Sequence, residues 1–437
     1  MRTVCRVYAL EHLFPLLYIY IFSVENSYVG FQIFWNKRVT ISCQQKVGAS
    51  DTGKEKLMSN VTRKGFLATT AGMGIALGLA ACGGKNNGGN AGSAGSSKKD
   101  PVGASAELID AAKKEGSLVV YVSCEEDYGA AVCNHFQELY GIETSYQRLS
   151  TEEVEAKIEE EKGKPSGDVW FGGTTDPYNV ASSKGLLEKY DPENAKHLID
   201  ESYKSTENDW YGIYKGILGI MYNKEELERL KLDAPKDYDD LLDEKYKGLV
   251  WMANYNTSGT ALLFLNTMIQ KKGSEEAGIE FLKKLDKNIA QYTKSGSGPS
   301  KSVGTAECTI GIGMLHDAIY QIVDNGYDNI GLQVPSSGAS YEIGATAMFA
   351  GCAHPNAAKL WLEYALSPEC VGLAQSNGSY QFLVIDDVEQ PKVATEYGLD
   401  PDNVMKYDFE DAKQNSEKYK NDLMQALGGG DDRFKTE

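Results

Sequence analysis

The chain has 437 residues, a net charge of −18 and 42% hydrophobic residues, enough for one or two large cores. So acidic a balance argues against nucleic-acid binding, which needs basic surface against the phosphates. No stretch beyond residue 82 is apolar for long enough to cross a bilayer as a helix. Of the eight cysteines, Cys5, Cys43 and Cys82 lie in the first fifth of the chain. The rest are Cys124, Cys133, Cys308, Cys352 and Cys370, an odd set with no metal-site spacing. One disulfide, Cys124 to Cys133 or Cys352 to Cys370, is compatible with the spacing, and at least one thiol stays unpaired within the chain.

In chain order, the first signal is a basic pair, Arg63 and Lys64, ahead of a glycine-spaced apolar run over 66–79. That run is shorter than the ~20 residues of a membrane span and reads as a signal peptide. It ends in Leu79-Ala80-Ala81-Cys82 with Gly83 and Gly84 after it, which resembles the lipobox of bacterial lipoproteins. The resemblance implies that residues 58–81 are removed, that Cys82 takes a lipid and that 82–103 are a tether. The Gly, Asn, Ser and Lys content of 83–100 suits a flexible tether. Because a signal peptide acts at an N-terminus, residues 1–57 read as a non-native upstream extension, with translation from Met58. Gly53-Lys54-Glu55 is what an in-frame purine-rich ribosome site would encode. The other reading of this segment is an additional anchor at 13–22, short for a span.

Beyond the tether, helix and strand signals alternate. A helix over 104–114 is stopped by Gly116, and the nearly continuous apolar run 117–123 reads as a buried parallel strand. A helix carrying Val132, Phe136 and Leu139 ends at Gly141, before a strand over 143–149. Ser150 with Glu153 makes a capping box for the next helix, whose carboxylates from Glu152 to Glu161 read as a solvated face. Residues 168–171 are another buried strand, and Gly172-Gly173-Thr174-Thr175-Asp176-Pro177 opens the helix after it. A long β-rich stretch over 210–222 suits a strand running between two lobes, with 342–348 a second crossing. The second α/β set comprises strand 248–252, helices 261–269 and 274–285, a Ser/Gly loop over 294–302 and the run 309–315, which ends in His316-Asp317. Helices over 355–366, 368–376 and 409–427 close the chain. The expected class is α/β with a mostly parallel sheet.

Chemistry is expected where hydroxyl residues and glycine open a helix or turn. Unpaired N–H groups and the positive end of the helix dipole bind anions there, and open α/β sheets bind ligands at the C-terminal ends of their strands. Ser123; Thr174, Thr175 and Asp176; Asn256, Thr257, Ser258, Gly259 and Thr260; and Ser295, Gly296 and Ser297 make up those loops. A helix cap is the commoner role for any one of them. His316, Asp317 and Glu342 could offer an imidazole and carboxylates to hydroxyls, although Glu342 by spacing alone suits a solvated edge. Trp170, Phe171 and Tyr255 could wall a cleft or fill a core. The chain lacks a G-x-S-x-G elbow, a phosphate-binding G-x-x-x-x-G-K-[ST] loop and H-E-x-x-H, and Gly311-Ile312-Gly313 lacks the third glycine of a dinucleotide loop.

Several blocks together resemble a known family over residues 104–427. They are Ala112-Lys113-Lys114-Glu115-Gly116 before Leu118-Val119-Val120-Tyr121, and Asp168-Val169-Trp170-Phe171-Gly172-Gly173-Thr174. Ser295-Gly296-Ser297 with Ile310-Gly311-Ile312-Gly313 follows, then Cys352-Ala353-His354-Pro355-Asn356-Ala357-Ala358-Lys359 leading to Leu366-Ser367-Pro368-Glu369. The chain is similar to type II periplasmic-binding proteins of ABC importers, in the branch of ferric-ion, thiamine and hexose-phosphate binders. The resemblance implies a two-lobed fold with a hinged cleft, its lobes formed by 104–215 plus 341–385 and by 216–340 plus 386–427. It implies a monomeric, membrane-tethered receptor outside the cytoplasm, with no enzymatic activity or cofactor, that hands a small anionic solute to a permease and its ATPase. Ferric binders of the branch carry two adjacent tyrosines; this chain, with 26 tyrosines, has no such pair. At the corresponding place stands His316-Asp317, as in hexose-phosphate binders, where a glutamate near the position of Glu342 also holds sugar hydroxyls. The implied solute is a sugar phosphate, with the loops on its phosphate, helped by Lys294 and Lys301. Ferric iron held by Tyr320 or Tyr341, then thiamine or a phosphonate, are the alternatives, and a membrane sensor would show the same fold.

Overall fold

The computed structural model describes residues 100–161, 163–428 and 432–434, together with the backbone of three upstream strands. Those strands, β1 (Leu17–Val24), β2 (Tyr28–Trp35) and β3 (Val39–Lys46), form an antiparallel meander in a compact unit separate from residues 95–437. The expected signal peptide, Cys82 and the tether up to residue 99 lie outside the described residues. Among the described residues no helix is long and apolar enough to cross a membrane.

Local sequence explains the first elements of the larger unit. Ser105 Oγ accepts from Leu108 N–H to start helix Ala106–Glu115, and Gly116 ends it at φ 77°, a left-handed conformation that glycine adopts without strain. The apolar run then becomes β4 (Ser117–Val122), followed by helix Glu126–Tyr140, β5 (Glu143–Arg148), helix Thr151–Glu160, β6 (Val169–Phe171) and helix Thr175–Ser183. β5, β4 and β6 pair in parallel, as the alternation predicts. The Ser150–Glu153 capping box is formed.

The remaining strands are β7 (Tyr211–Asn223), β8 (Val250–Ala253), β9 (Ile289–Thr293), β10 (Ile310–Met314), β11 (Ile330–Gln333), β12 (Tyr341–Met348) and β13 (Phe382–Leu383). All ten strands of this unit join one sheet, in the order β5-β4-β6-β12-β7-β10-β8-β9, with β11 and β13 also on β7. β7 spans both halves: β12 pairs with it up to Ile217, and β10 with Leu218 to Tyr222. The expected second crossing is not made by strand pairing, because β12 is held between β6 and the first half of β7. Helix Gly259–Lys272 follows β8, helix Leu315–Val323 follows β10, and helices Pro355–Ala365 and Phe409–Ala426 close the two lobes.

Each lobe has its own core. In the first, Phe136, Phe171 and Trp361 are fully buried, and Trp170 stacks on Tyr178 at 3.8 Å. The second centres on Phe264, Tyr238 and Leu263, with Tyr407, Tyr419 and Leu423 of the C-terminal segment packed into it. Ile217, Leu315, Ile319, Tyr380 and Phe382 form a smaller cluster at the waist. His354 bonds Ser117 Oγ and Asp168 Oδ2, each at 2.9 Å, while Asp168 also accepts from the backbone N–H of Val119 and His354. This Ser-His-Asp chain staples β4 to the start of helix Pro355–Ala365, with both oxygens of Asp168 occupied.

Some expectations need correction. Glu152 is 7% exposed, not part of a solvated face, because its helix turns that residue into a buried seam. Trp170, Phe171 and Tyr255 are core residues. The Ser/Gly loop holds a short helix, Gly298–Val303, started by Pro299, and the 368–376 helix stops at Val371. Glu342 is 4% exposed, since β12 lies inside the sheet and not at an edge. Neither disulfide that the spacing allows is formed: all five cysteines in the described residues are free thiols, and each is buried except the partly exposed Cys352.

Candidate functional site

The loops singled out from the sequence gather at the C-terminal ends of the strands in two adjoining clusters. The first is made by helix starts of opposite lobes. Thr174 is the N-cap of helix Thr175–Ser183, Ser258 the N-cap of helix Gly259–Lys272, and neither spends its side chain on a capping bond. A Cβ built on Gly259 would stand 2.2 Å from Thr174 Oγ1 and 2.5 Å from Thr151 Oγ1. Glycine is therefore what lets the helix of the second lobe meet the first. The same close approach recurs at Gly173 against Ser123 and Thr151, and at Gly296 against Thr260 Oγ1 (2.2 Å) and Ser258 Oγ (3.2 Å). Helix starts bring unpaired N–H groups and the positive end of the dipole to one place, an arrangement that suits an anion.

Other members of these loops have structural partners. Ser123 Oγ accepts from Trp170 Nε1 at 2.9 Å, Thr257 Oγ1 donates to the Lys294 carbonyl at 2.7 Å, and Ser295 and Ser297 hydroxyls lie 3.4 Å apart. Asn256 is exposed, its N–H donating to Asn254 Oδ1. Thr175 is buried in the first turn of its helix. Asp176 Oδ2 accepts from Asn266 Nδ2 at 3.0 Å and Tyr407 hydroxyl at 2.6 Å, both from the second lobe. Lys294 pairs with Glu153 across the lobes at 2.8 Å.

The second cluster holds His316, Asp317 and Glu342, joined by Glu125. His316 and Asp317 sit in the first turn of helix Leu315–Val323, which β10 aims at the waist. His316 Nε2 lies 3.5 Å from Glu125 Oε1 and 3.9 Å from Glu342 Oε1. Burial holds the imidazole neutral, its pKa lowered to about 3, and Nδ1 has no partner among the described residues. Gly216 of β7 leaves room for the ring: a Cβ there would fall 2.7 Å from His316 Cε1 and 2.9 Å from Glu342 Oε1. Burial, then the neighbouring Glu125, raises Asp317 to about 7, against the pull of Lys301 and Arg148. Glu342 is raised by burial and by both other carboxylates, and Glu125 by burial, although Gln381 Nε2 donates to it at 2.9 Å. Tyr214 links the clusters, accepting from Gly173 N–H at 2.7 Å and lying within the field of Glu342 and Glu125. Carboxylates crowded this closely, with Gln381 donating to Glu125 alone, call for a ligand rich in hydroxyl or N–H groups.

Sequence reasoning missed Glu125, Thr151, Tyr214 and Arg148. Glu125 stands two residues after the flagged Ser123, in the turn leaving β4, and Thr151 lies inside the recognised capping box. Tyr214 could not be separated from the other tyrosines of a long apolar strand. Arg148 sits at the end of β5, where only strand pairing brings it near Asp317.

Comparison with known proteins places this architecture. The family model described as bacterial extracellular solute-binding protein matches residues 178–414. An uncharacterised protein of Haemophilus influenzae is 38% identical over 306 residues, 68% of this chain and 86% of its own. Among solved structures, the periplasmic binding protein AfuA from Actinobacillus pleuropneumoniae, with exogenous fructose 6-phosphate bound, has 32% identity and a TM-score of 0.67. That match covers 71% of this chain and 98% of AfuA. The periplasmic binding protein P5PA has 28% identity and a TM-score of 0.66, over 71% of this chain and 98% of its own. The chain belongs to the bacterial extracellular solute-binding proteins, as the solute-capturing component of an ABC importer.

Proposed function

We propose that this receptor captures a small organophosphate, a sugar phosphate above all, and delivers it to a permease with its ATPase. The observation that carries the reading is the adjacency of the two clusters: helix starts suited to a phosphate, beside donor-hungry carboxylates suited to a polyol. The likeness to AfuA, solved with fructose 6-phosphate, supports it. Ser123, Thr174, Thr175, Asn256 to Thr260 and Ser295 to Ser297 would surround the phosphate, while His316, Asp317 and Glu342, with Glu125, would accept from the hydroxyls. The lobes, 104–215 plus 341–385 and 216–340 plus 386–427, would close around the solute without reacting with it, so purified protein should release no phosphate.

Fructose 6-phosphate at ~1,000 times its dissociation constant is expected to stabilise the fold by ~4 kcal/mol in a thermal-shift measurement. Asp317→Ala and His316→Ala should each lower affinity by roughly 10- to 100-fold, the worth of one or two buried polar contacts. Shifts with hexose phosphates that survive both substitutions would overturn the assignment.

A second reading, ferric-ion capture, draws on one observation: ligand atoms of Glu125, His316 and Asp317 lie within 4.8 Å of one another. The tyrosines proposed for it are engaged elsewhere, Tyr320 donating to Asp127 at 3.1 Å and Tyr341 lying under Lys215. A shift with ferric citrate alone would favour this reading.

Outside the described residues, Cys82 would carry the lipid that holds this receptor as a monomer on the outer face of the membrane. Cells fed an alkyne fatty acid should label the full chain, and Cys82→Ser should abolish the label. Equal labelling of the two would rule the anchor out.

A further inference from the structure

Behind the helix-start cluster the lobes meet on a buried polar seam. Glu152 and Asp176 come from the first lobe; Asn266, Tyr407, Ser416 and Lys420 come from the second. Asn266 Nδ2 donates to Asp176 Oδ2 at 3.0 Å and to Ser416 Oγ at 2.7 Å, and Tyr407 hydroxyl donates to the same Asp176 oxygen at 2.6 Å. Burial is near complete: 7% exposure for Glu152, 1% for Asp176 and 0% for Asn266.

The seam is short of donors. Among the described residues eight buried side-chain oxygens or nitrogens have no hydrogen-bond partner, and Glu152 Oε2, Asp176 Oδ1 and Asn266 Oδ1 of this seam are three of them. All three can only accept when the carboxyls are ionised. A buried carboxylate with no donor is costly, and one added proton both removes a charge and supplies the missing O–H. We propose that Glu152 is a positioning residue for solute capture, taking up one proton as the lobes close and donating it within the seam. The proposal rests on the receptor closing around its solute, as set out above.

The charges that face Glu152 agree with this. Burial is the main influence and raises its pKa to about 8; Lys420 of helix Phe409–Ala426 opposes the rise, while Glu155 on its own helix and Asp176 on the next add to it. Glu155 is itself paired with Lys184 at 2.8 Å, and Asp176 is likewise raised by burial, against the bonds from Tyr407 and Asn266. When the lobes part, the faces carrying Asn266 and Lys420 leave and Glu152 returns to water, with the ordinary value of ~4.3. Closing then takes up a proton at any pH between the two values. The sign follows: affinity falls as pH rises, by up to ~10-fold per unit between about 5 and 8, and levels off above.

The test compares wild type with Glu152→Gln, whose amide supplies the donor at every pH. Fructose 6-phosphate affinity measured from pH 5.5 to 9 contains the solute's own titration and that of Asp317, but these are common to both proteins. The ratio of wild-type to variant affinity should therefore fall by up to ~10-fold per unit to about pH 8 and then stay flat. Calorimetry at pH 7 in buffers of different ionisation enthalpy should show about one more proton taken up by wild type than by the variant. A ratio independent of pH, with equal proton uptake, overturns the proposal. If fructose 6-phosphate binds neither protein, the sugar-phosphate reading fails instead. The seam is then judged from the interlobe distance between paired spin labels without solute: a closed fraction that falls with pH only in wild type supports it, and identical profiles overturn it.

Discussion

Replacing Gly259 with alanine is expected to weaken solute capture by roughly 5- to 150-fold while leaving the fold intact, the consequence of ~1–3 kcal/mol of overpacking. The added methyl would meet Thr174 Oγ1 at 2.2 Å and Thr151 Oγ1 at 2.5 Å, and both belong to the opposite lobe. The clash exists only when the lobes are together. In the open receptor the same methyl sits in the first turn of a helix, where alanine is the best helix former. Calorimetric titration with fructose 6-phosphate, paired with a melt of the ligand-free protein, separates the two effects. Unchanged affinity would mean that the helix starts do not meet around the solute. Gly173→Ala is a poorer probe, because Gly173 has φ 91° and its replacement would strain the backbone as well.

The largest loss of stability is expected from Trp361→Ala, about 3–5 kcal/mol in urea unfolding followed by first-lobe signals. Trp361 is fully buried, edge-on to Phe136 at 5.3 Å and to Phe171 at 5.6 Å between ring centres. Its indole N–H donates to Thr346 Oγ1 at 3.3 Å, which in turn donates to the Trp170 carbonyl at 2.9 Å. Alanine would leave a cavity among rings too rigid to collapse into it, and would take the indole donor from Thr346 Oγ1 beside the β12–β6 pairing. Val323→Ala, at a side chain 45% exposed, serves as the control and should stay within about 0.5 kcal/mol. Equal midpoints for the two variants would contradict this account of the core.

Much of the architecture can be read from local chemistry. Caps at Ser150, Ser274, Gly116 and Gly141 and the apolar runs of β4, β6, β7 and β10 each announce their element, since short-range forces decide them. Elements decided by partners are silent. β9 shows only two buried residues in five, β11 and β13 are short additions to β7, and the helix Lys224–Leu230 is barely two turns long. At the site, hydroxyl-rich helix starts and the His316-Asp317 pair stand out in the sequence because few residues combine in that way. Glu125 and Glu152 do not. A glutamate in an acidic chain looks solvated until the opposite lobe covers it, and that burial depends on contacts more than a hundred residues away.

The unpaired thiols bear on how this receptor survives where it works. Extracytoplasmic compartments oxidise exposed cysteines, and lobes with reactive unpaired thiols at the surface would be prone to cross-linking with their neighbours. Burial raises the thiols of Cys124, Cys133, Cys308 and Cys370, and even the partly exposed Cys352 is pushed up to about 12. Thiol–disulfide exchange needs the thiolate, so at neutral pH these cysteines hardly react. The folded lobes are thereby shielded from the redox state of their surroundings, and no disulfide among the described residues is needed to hold them.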